Sequence, residues 1–416
     1  MSSGTALAVD IRGLHPGQVA IAASTARWRV VCAGRRWGKT RLSAALLLAR
    51  ALEGGRCWWV APTAKLARVG WRELRGMTAA VPGVDVRLGE SLLTFPGGGS
   101  IQVRTAGEPG GLRGDGLDAL VYDEAAFGRE DSWTHELRPA LSDRRGWALF
   151  PSTPRGRANW FYRLFQRGQS GDGGDWASWR FPTSTNPYID AGEIEEAREL
   201  LPAAVFDQEY RAEFIDAGLA VFNAVDIDAM VDGWTGFSDP APGGRYVTAW
   251  DIGRRGDAAV GVTLDVARLP YTVVAYARLV RVPYPAQQSM IEDIHGRYGG
   301  RLLVESNGPG DPVIENLRVR ATPFVTTARS KVQAIQALQL LLERGALKCG
   351  VPQIEHELRT YEWDDRALVQ DSVMALAIAA TACPPPGRRV VTIDAGGGVD
   401  RSARRPELAG IRQEAW

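Results

Sequence analysis

Lysine is nearly absent from this 416-residue chain: of 49 basic residues only Lys39, Lys65, Lys331 and Lys348 are lysines, and arginine carries the rest. Histidine and cysteine are equally scarce, with four of each. Cys32, Cys57, Cys349 and Cys383 are scattered without paired spacing, which argues against a disulfide framework or a zinc site and predicts reduced bystander thiols. No run of about 18 uncharged apolar residues occurs, and no basic segment leads into an apolar signal core, so the expected location is a cytoplasm, with no membrane partner. A net charge of +1 excludes a globally basic nucleic-acid coat. Any DNA contact must come from local patches such as Arg35 and Arg36, Arg72 and Arg75, Arg155 and Arg157, or Arg254 and Arg255, each equally readable as a solvated face. At about 150 residues per domain, the length predicts two to three soluble domains.

Against this arginine background, Lys39 is retained in the stretch Val30-Val31-Cys32-Ala33-Gly34-Arg35-Arg36-Trp37-Gly38-Lys39-Thr40-Arg41-Leu42. It reads as a buried strand turning through a glycine-containing loop into a helix. An NTPase phosphate loop needs that order of parts. The backbone N–H groups from Ala33 to Thr40 and the helix N-terminus converge on the phosphates, Lys39 reaches their outer oxygens, and Thr40 holds Mg²⁺. The usual first glycine is Ala33 here, and Gly34 is expected to supply flexibility one residue later. The plain alternative, a surface turn matching by chance, sits poorly with the apolar strand before the loop and the apolar helix after it. Upstream, Gln18 in His15-Pro16-Gly17-Gln18 is placed as in helicase-type motors to pair with an adenine edge, a helix-capping or solvated glutamine being the open alternative.

Periodicity predicts a helix over 41–52 ended by Gly54-Gly55, a strand from Cys57 stopped at Pro62, and a hairpin of 91–95 with 100–104. Leu117 to Tyr122 then form an apolar strand that delivers two adjacent carboxylates. Asp123 is assigned to Mg²⁺ and Glu124 to the base that polarises the attacking water. A strand ending in an acidic helix cap is the bland reading, weakened by the phosphate loop upstream. A further strand, Trp147 to Phe150, ends in Pro151-Ser152-Thr153-Pro154-Arg155-Gly156, where Ser152 and Thr153 are candidates for sensing the γ-phosphate and coupling hydrolysis to motion. A proline-bounded turn is the ordinary alternative.

Residues 217–244 are rich in Gly, Pro and Asp and predict a linker. Beyond them, strands end at Asp251, run from Asp257 to Leu264 and from Tyr271 to Val280, and lead through a helix to a strand ending at Glu305. Amphipathic helices are expected over 330–344 and 370–380. An acid ending the first strand, an acid ending the fourth and an acid opening a late helix is how ribonuclease-H-like nucleases collect carboxylates. Asp251, Glu305 and Asp371, with Asp257 as auxiliary, are therefore the candidate ligands of two Mg²⁺ or Mn²⁺ ions about 4 Å apart. Oxygen ligation disfavours zinc.

Three words stand in one order: Gly34-Arg35-Arg36-Trp37-Gly38-Lys39-Thr40, Val121-Tyr122-Asp123-Glu124-Ala125 and Ser152-Thr153-Pro154-Arg155-Gly156. With Asn186-Pro187-Tyr188, Phe206 to Phe214, Glu305 to Gly308 and the Asp371 to Ala380 helix, they make the chain resemble the large subunit of a tailed-phage terminase over most of residues 10–382. The resemblance implies an α/β fold. Its parts are a P-loop NTPase domain with a mainly parallel, helicase/ASCE-like sheet over 1–215, a linker over 216–244, an RNase H-like nuclease domain with a mixed sheet over 245–383, and a flexible tail over 384–416. It further implies ATP with Mg²⁺ in the motor, and double-stranded DNA, a portal ring and a small terminase subunit as partners. A homo-oligomeric ring and the host bacterial cytoplasm as location complete the set. Arg113 resembles the position of an arginine finger offered to a neighbouring subunit, with Arg36 as the alternative within its own. One departure is Gln370 beside Asp371, where the family often has two adjacent acids, so weaker metal binding is expected. A helicase-nuclease of repair or defence, or an inactive DNA-binding remnant to which Ala33 and Gln370 would belong, are the competing readings.

Overall fold

A strand whose residues are all apolar has no face to give to water, and it is stable only when covered on both sides, as in parallel sheets flanked by helices. The computed structural model describes residues 13–79, 81–106, 116–170, 174–215, 221–253, 258–307, 310–362 and 370–384. Among the described residues the first half holds eight strands: β1 (Trp28–Ala33), β2 (Arg56–Ala61), β3 (Asp85–Arg87), β4 (Leu92–Thr94), β5 (Ser100–Thr105), β6 (Ala119–Tyr122), β7 (Trp147–Ser152) and β8 (Trp176–Phe181). They form one sheet in the order β3-β4-β5-β2-β6-β7-β1-β8. From β5 to β8 every pairing is parallel, while β3, β4 and β5 pair antiparallel at one edge.

Successive residues of β1 and β2 supply opposite faces. Val31, Ala33, Cys57, Trp59 and Ala61 pack with Leu42, Leu47 and Leu74 on one side. Trp28, Val30, Cys32, Trp58 and Val60 pack with Trp133, Trp160 and Phe161 on the other. The arginine bias has a structural use here, because a planar guanidinium stacks on aromatic rings where an ammonium does not. Arg27 lies over Trp28, Arg29 over Trp147, Arg104 over Trp58 and Arg167 over Trp176, with centroid distances of 4.3, 4.6, 4.0 and 4.7 Å.

The second half carries β9 (Tyr246–Asp251), β10 (Ala258–Asp265), β11 (Tyr271–Val280), β12 (Arg301–Glu305), β13 (Thr322–Phe324) and β14 (Leu347–Lys348). Their order is β13-β12-β9-β10-β11-β14, with β9, β10 and β11 antiparallel and β12 parallel to β9. This is a mixed, RNase H-like sheet. One face is covered by the helices Ala328–Glu343 and Asp371–Thr381, and the other by Tyr284–Tyr298. The helix Asp371–Thr381 is apolar all round, and every residue from Ser372 to Ala380 is buried. A helix with no polar face belongs in a core.

The segment expected as a linker is partly core. Within 216–244, the helix Ala224–Val231 buries Ile227 and Met230, and Phe222 precedes it, all in the hydrophobic cluster of the second sheet. Its Gly, Pro and Asp content hid a helix of only eight residues. The two halves also touch directly: the Glu343 carboxylate accepts from Ala203 N at 2.9 Å, at the start of the helix Ala203–Glu209. All four cysteines are free, with Cys32, Cys57 and Cys349 buried. Among the described residues no helix is long and apolar enough to cross a membrane.

Candidate functional site

Parallel strands β6, β7 and β1 lie side by side, so their C-terminal ends deliver three segments to one edge of the sheet. These are the glycine loop after β1, the acidic pair after β6 and Ser152-Thr153 at the end of β7. The loop turns through two left-handed residues, Arg36 at φ 60° and Gly38 at φ 101°, and the helix Lys39–Leu52 begins directly after them. Lys39 is buried, and its ammonium donates to Ala33 O at 2.8 Å and Gly34 O at 3.0 Å. Burial lowers its pKa, and Glu124 and then Asp123 oppose that shift. Position 34 is glycine for lack of room rather than for flexibility. A Cβ there would lie 2.3 Å from Thr183 Oγ1 and 2.5 Å from Tyr210 O, whereas Ala33 simply ends β1 in register with Phe181.

The loop is gripped from far along the chain. Gly34 N donates to Phe181 O, and Arg35 N to Glu209 O at 2.7 Å. Thr183 Oγ1 donates to Arg35 O and Asn186 Nδ2 to Arg36 O, both at 2.8 Å. The Arg35 guanidinium also pairs with the Glu209 carboxylate. Trp37 is fully buried, stacked on Phe181 at 4.7 Å and donating from Nε1 to Thr185 Oγ1. Its indole is therefore an anchor, and only its backbone faces the loop. Gln18 likewise holds the loop. Its amide accepts from His15 N at 3.0 Å and donates to Gly38 O at 2.9 Å, the bonds of the helix-capping alternative. Gln18→Ala should cost about 1–3 kcal/mol by stranding two partly buried backbone groups. Denaturant unfolding would measure that loss, accompanied by a raised KM for ATP.

Asp123 is buried, and its carboxyl is pushed up to about 7, chiefly by burial and then by Glu124, with Lys39 opposing. Glu124 sits at φ 49°, a left-handed conformation that costs a non-glycine residue roughly 1–2 kcal/mol. Ser152 holds it there. Its Oγ donates to Glu124 Oε2 and accepts from Ala126 N, both at 3.2 Å. Thr153 is buried beside it in sequence. Ser152→Ala should lower ATPase kcat by about 10- to 100-fold with little change in KM, because a small misplacement of a reacting group costs that much; steady-state kinetics would show it. The Thr40 hydroxyl and Asp123 are hard oxygen donors suited to Mg²⁺. Arg36 is exposed, and Arg113 lies outside the described residues.

On the second sheet, Val304 pairs with Trp250, which sets Glu305 beside Asp251 at the ends of parallel neighbours. The Asp251 carboxyl is held well above the usual range by burial first, then by Glu305, Asp371 and Glu357. Three acids thus bear on one point, and their all-oxygen chemistry suits a hard divalent cation. Among the described residues, however, no three His, Cys, Asp or Glu side chains close into a cage for an ion. Asp257 lies outside the described residues. The residues that sequence reasoning missed are His15, Phe181, Thr183 and Glu209 around the loop, and Glu357 near Asp251.

A parallel sheet with a phosphate-loop lysine and an acidic pair at one edge, joined to an RNase H-like sheet, defines a P-loop NTPase coupled to a second, acid-bearing domain. A family model described as "Terminase large subunit, T4likevirus-type, N-terminal" matches residues 30–228. The large terminase subunit of Thermus virus P23-45 is 28% identical over 397 residues, covering 84% of this chain and 81% of the relative. That of Escherichia phage T5 is 26% identical over 353 residues, covering 81% and 80%. A solved large terminase from a thermophilic bacteriophage shares the fold at a TM-score of 0.62 and 13% identity, over 88% of this chain and 98% of that one. The chain is thus similar to phage terminase large subunits along most of its length.

Proposed function

We propose that this chain is an ATP-driven motor that moves double-stranded DNA into procapsids, and that its second domain is a metal-dependent endonuclease that cuts concatemers. The observation that carries the reading is the convergence of Lys39, Asp123 and the Ser152-braced Glu124 at one sheet edge. In the motor, the loop N–H groups and Lys39 orient the phosphates of ATP, and Glu124 takes the proton of the attacking water. Mg²⁺ held by Thr40 and Asp123 supplies charge neutralisation when bound. Arg113 is proposed as the finger offered to a neighbour's nucleotide, with Arg36 the rival.

In the second domain, Asp251, Glu305 and Asp371, with Asp257, are the proposed holders of two Mg²⁺ or Mn²⁺ ions, which supply an activated water and stabilise the departing 3′ oxygen. The remaining partners proposed are a portal ring, a small terminase subunit and further copies of this chain in a ring, in a host cytoplasm. A packaging assay with purified procapsids tests the whole reading. ATP-dependent protection of duplex DNA from added nuclease is expected. Strand separation of blunt duplex without encapsidation would instead make the protein a helicase-nuclease.

A further inference from the structure

Glu357 is 2% exposed on the helix Pro352–Arg359, a deeply buried acid whose charge none of the proposed chemistry uses. Its Oε2 accepts from Ser372 N at 2.8 Å and Val373 N at 3.0 Å, and its Oε1 accepts from Ser372 Oγ at 2.9 Å and Gln353 Nε2 at 2.8 Å. Four donors fill the roughly four lone-pair sites that a carboxylate offers, so Glu357 has nothing left with which to bind an ion. What it does hold is the first turn of the helix Asp371–Thr381. The N-cap residue of that helix, Gln370, gives no side-chain cap, so the acid from the neighbouring helix takes over that task. The Ser372 hydroxyl extends the link to Tyr276 OH at 3.0 Å, tying the turn to β11.

From this geometry we infer that Glu357 is a positioning residue of the proposed nuclease site, fixing the backbone of Asp371 so that its carboxylate faces Asp251 and Glu305. The inference rests on the nuclease reading above. Three things follow from the contacts. The neutral amide of Glu357→Gln can still accept from the two backbone N–H groups, but its NH₂ cannot accept from the Ser372 hydroxyl or from Gln353. The negative charge that reinforces the cation-attracting potential at Asp251 is also lost. And the motor domain, with its own sheet and core, is untouched.

The experiment uses the full chain and Mn²⁺ as probe. Glu357→Gln should bind Mn²⁺ about 10- to 100-fold more weakly by calorimetry, the usual cost of losing a partner that orients a ligand. Plasmid cleavage should fall in parallel and recover at saturating Mn²⁺, while ATP turnover stays at the wild-type rate. Recovery by metal is the readout that a merely structural cap would not give. Should Glu357→Gln fail to fold, Ser372→Ala, which keeps the two backbone contacts, should show a smaller loss of Mn²⁺ affinity with the same recovery. Wild-type Mn²⁺ affinity in the folded variant, or lost cleavage that metal does not restore, would overturn the inference. Asp251→Asn runs alongside: if it too binds Mn²⁺ and cleaves as wild type, the nuclease reading itself fails and this inference with it.

Discussion

Glu124→Gln should leave ATP bound and reduce its turnover by about 10²- to 10⁴-fold, the contribution of a positioned general base. Glu124 is carried past the end of a fully buried strand in a left-handed conformation that a free chain avoids, and the Ser152 hydroxyl and the turn Ala125–Phe127 keep it there. Backbone strain of this kind persists where the surroundings over-determine it, and it clusters at sites that use it. The glutamine isostere still accepts from Ser152, so orientation survives and only proton acceptance is lost. Lys39 keeps its bonds to Ala33 O and Gly34 O and the opposing charge of Asp123, so binding of a fluorescent ATP analogue should be nearly unchanged. Turnover within a few-fold of wild type would remove Glu124 from the role of base. The Ser152→Ala variant, which keeps the carboxylate and loosens its aim, should fall between the two.

The strands that build this site were legible in sequence because parallel strands buried on both faces carry unbroken apolar runs, as residues 30–33, 57–61 and 147–150 do within β1, β2 and β7. The acids were legible because each ends such a run, and their side-by-side placement then follows from strand order. What holds them was not legible. Thr183 and Asn186 reach the loop at Arg35 and Arg36 across 148 and 150 residues, and no spacing rule connects them. Gly34 looked like a flexible substitute for a missing glycine, yet its requirement is the close approach of Thr183 and Tyr210, which only the folded chain brings there. Gln18 reads alike as a base-reading amide or a cap, and its bond to Gly38, 20 residues on, follows from no spacing rule. Glu357 carried no signal at all, being one acid in an amphipathic helix whose partner turn lies 15 residues on.

Asp251→Asn should abolish metal-dependent DNA cleavage, by at least about 100-fold, without harming either fold or motor. A divalent ion stabilises the reacting charge by several kcal/mol, and each 1.36 kcal/mol is tenfold in rate, so losing the acid nearest the shared point costs at least two such factors. Stability should move the other way. Burial and the neighbouring Glu305 hold the Asp251 carboxyl well above its usual range, so the native chain takes up a proton there that the unfolded chain has released. Stability is consequently lost as pH climbs from the unfolded carboxyl's pKa, about 3.9, towards the raised folded value, and a neutral amide escapes that loss. At neutral pH, without metal, the melting temperature of Asp251→Asn should therefore equal or exceed that of wild type. Plasmid nicking in Mn²⁺, ATP turnover and a thermal melt on one preparation would separate the three effects. Cleavage that persists in Asp251→Asn combined with Glu305→Gln would place the nuclease centre elsewhere, whereas lost cleavage with unchanged turnover and an undiminished melting temperature marks an acid pair kept for chemistry at the expense of stability.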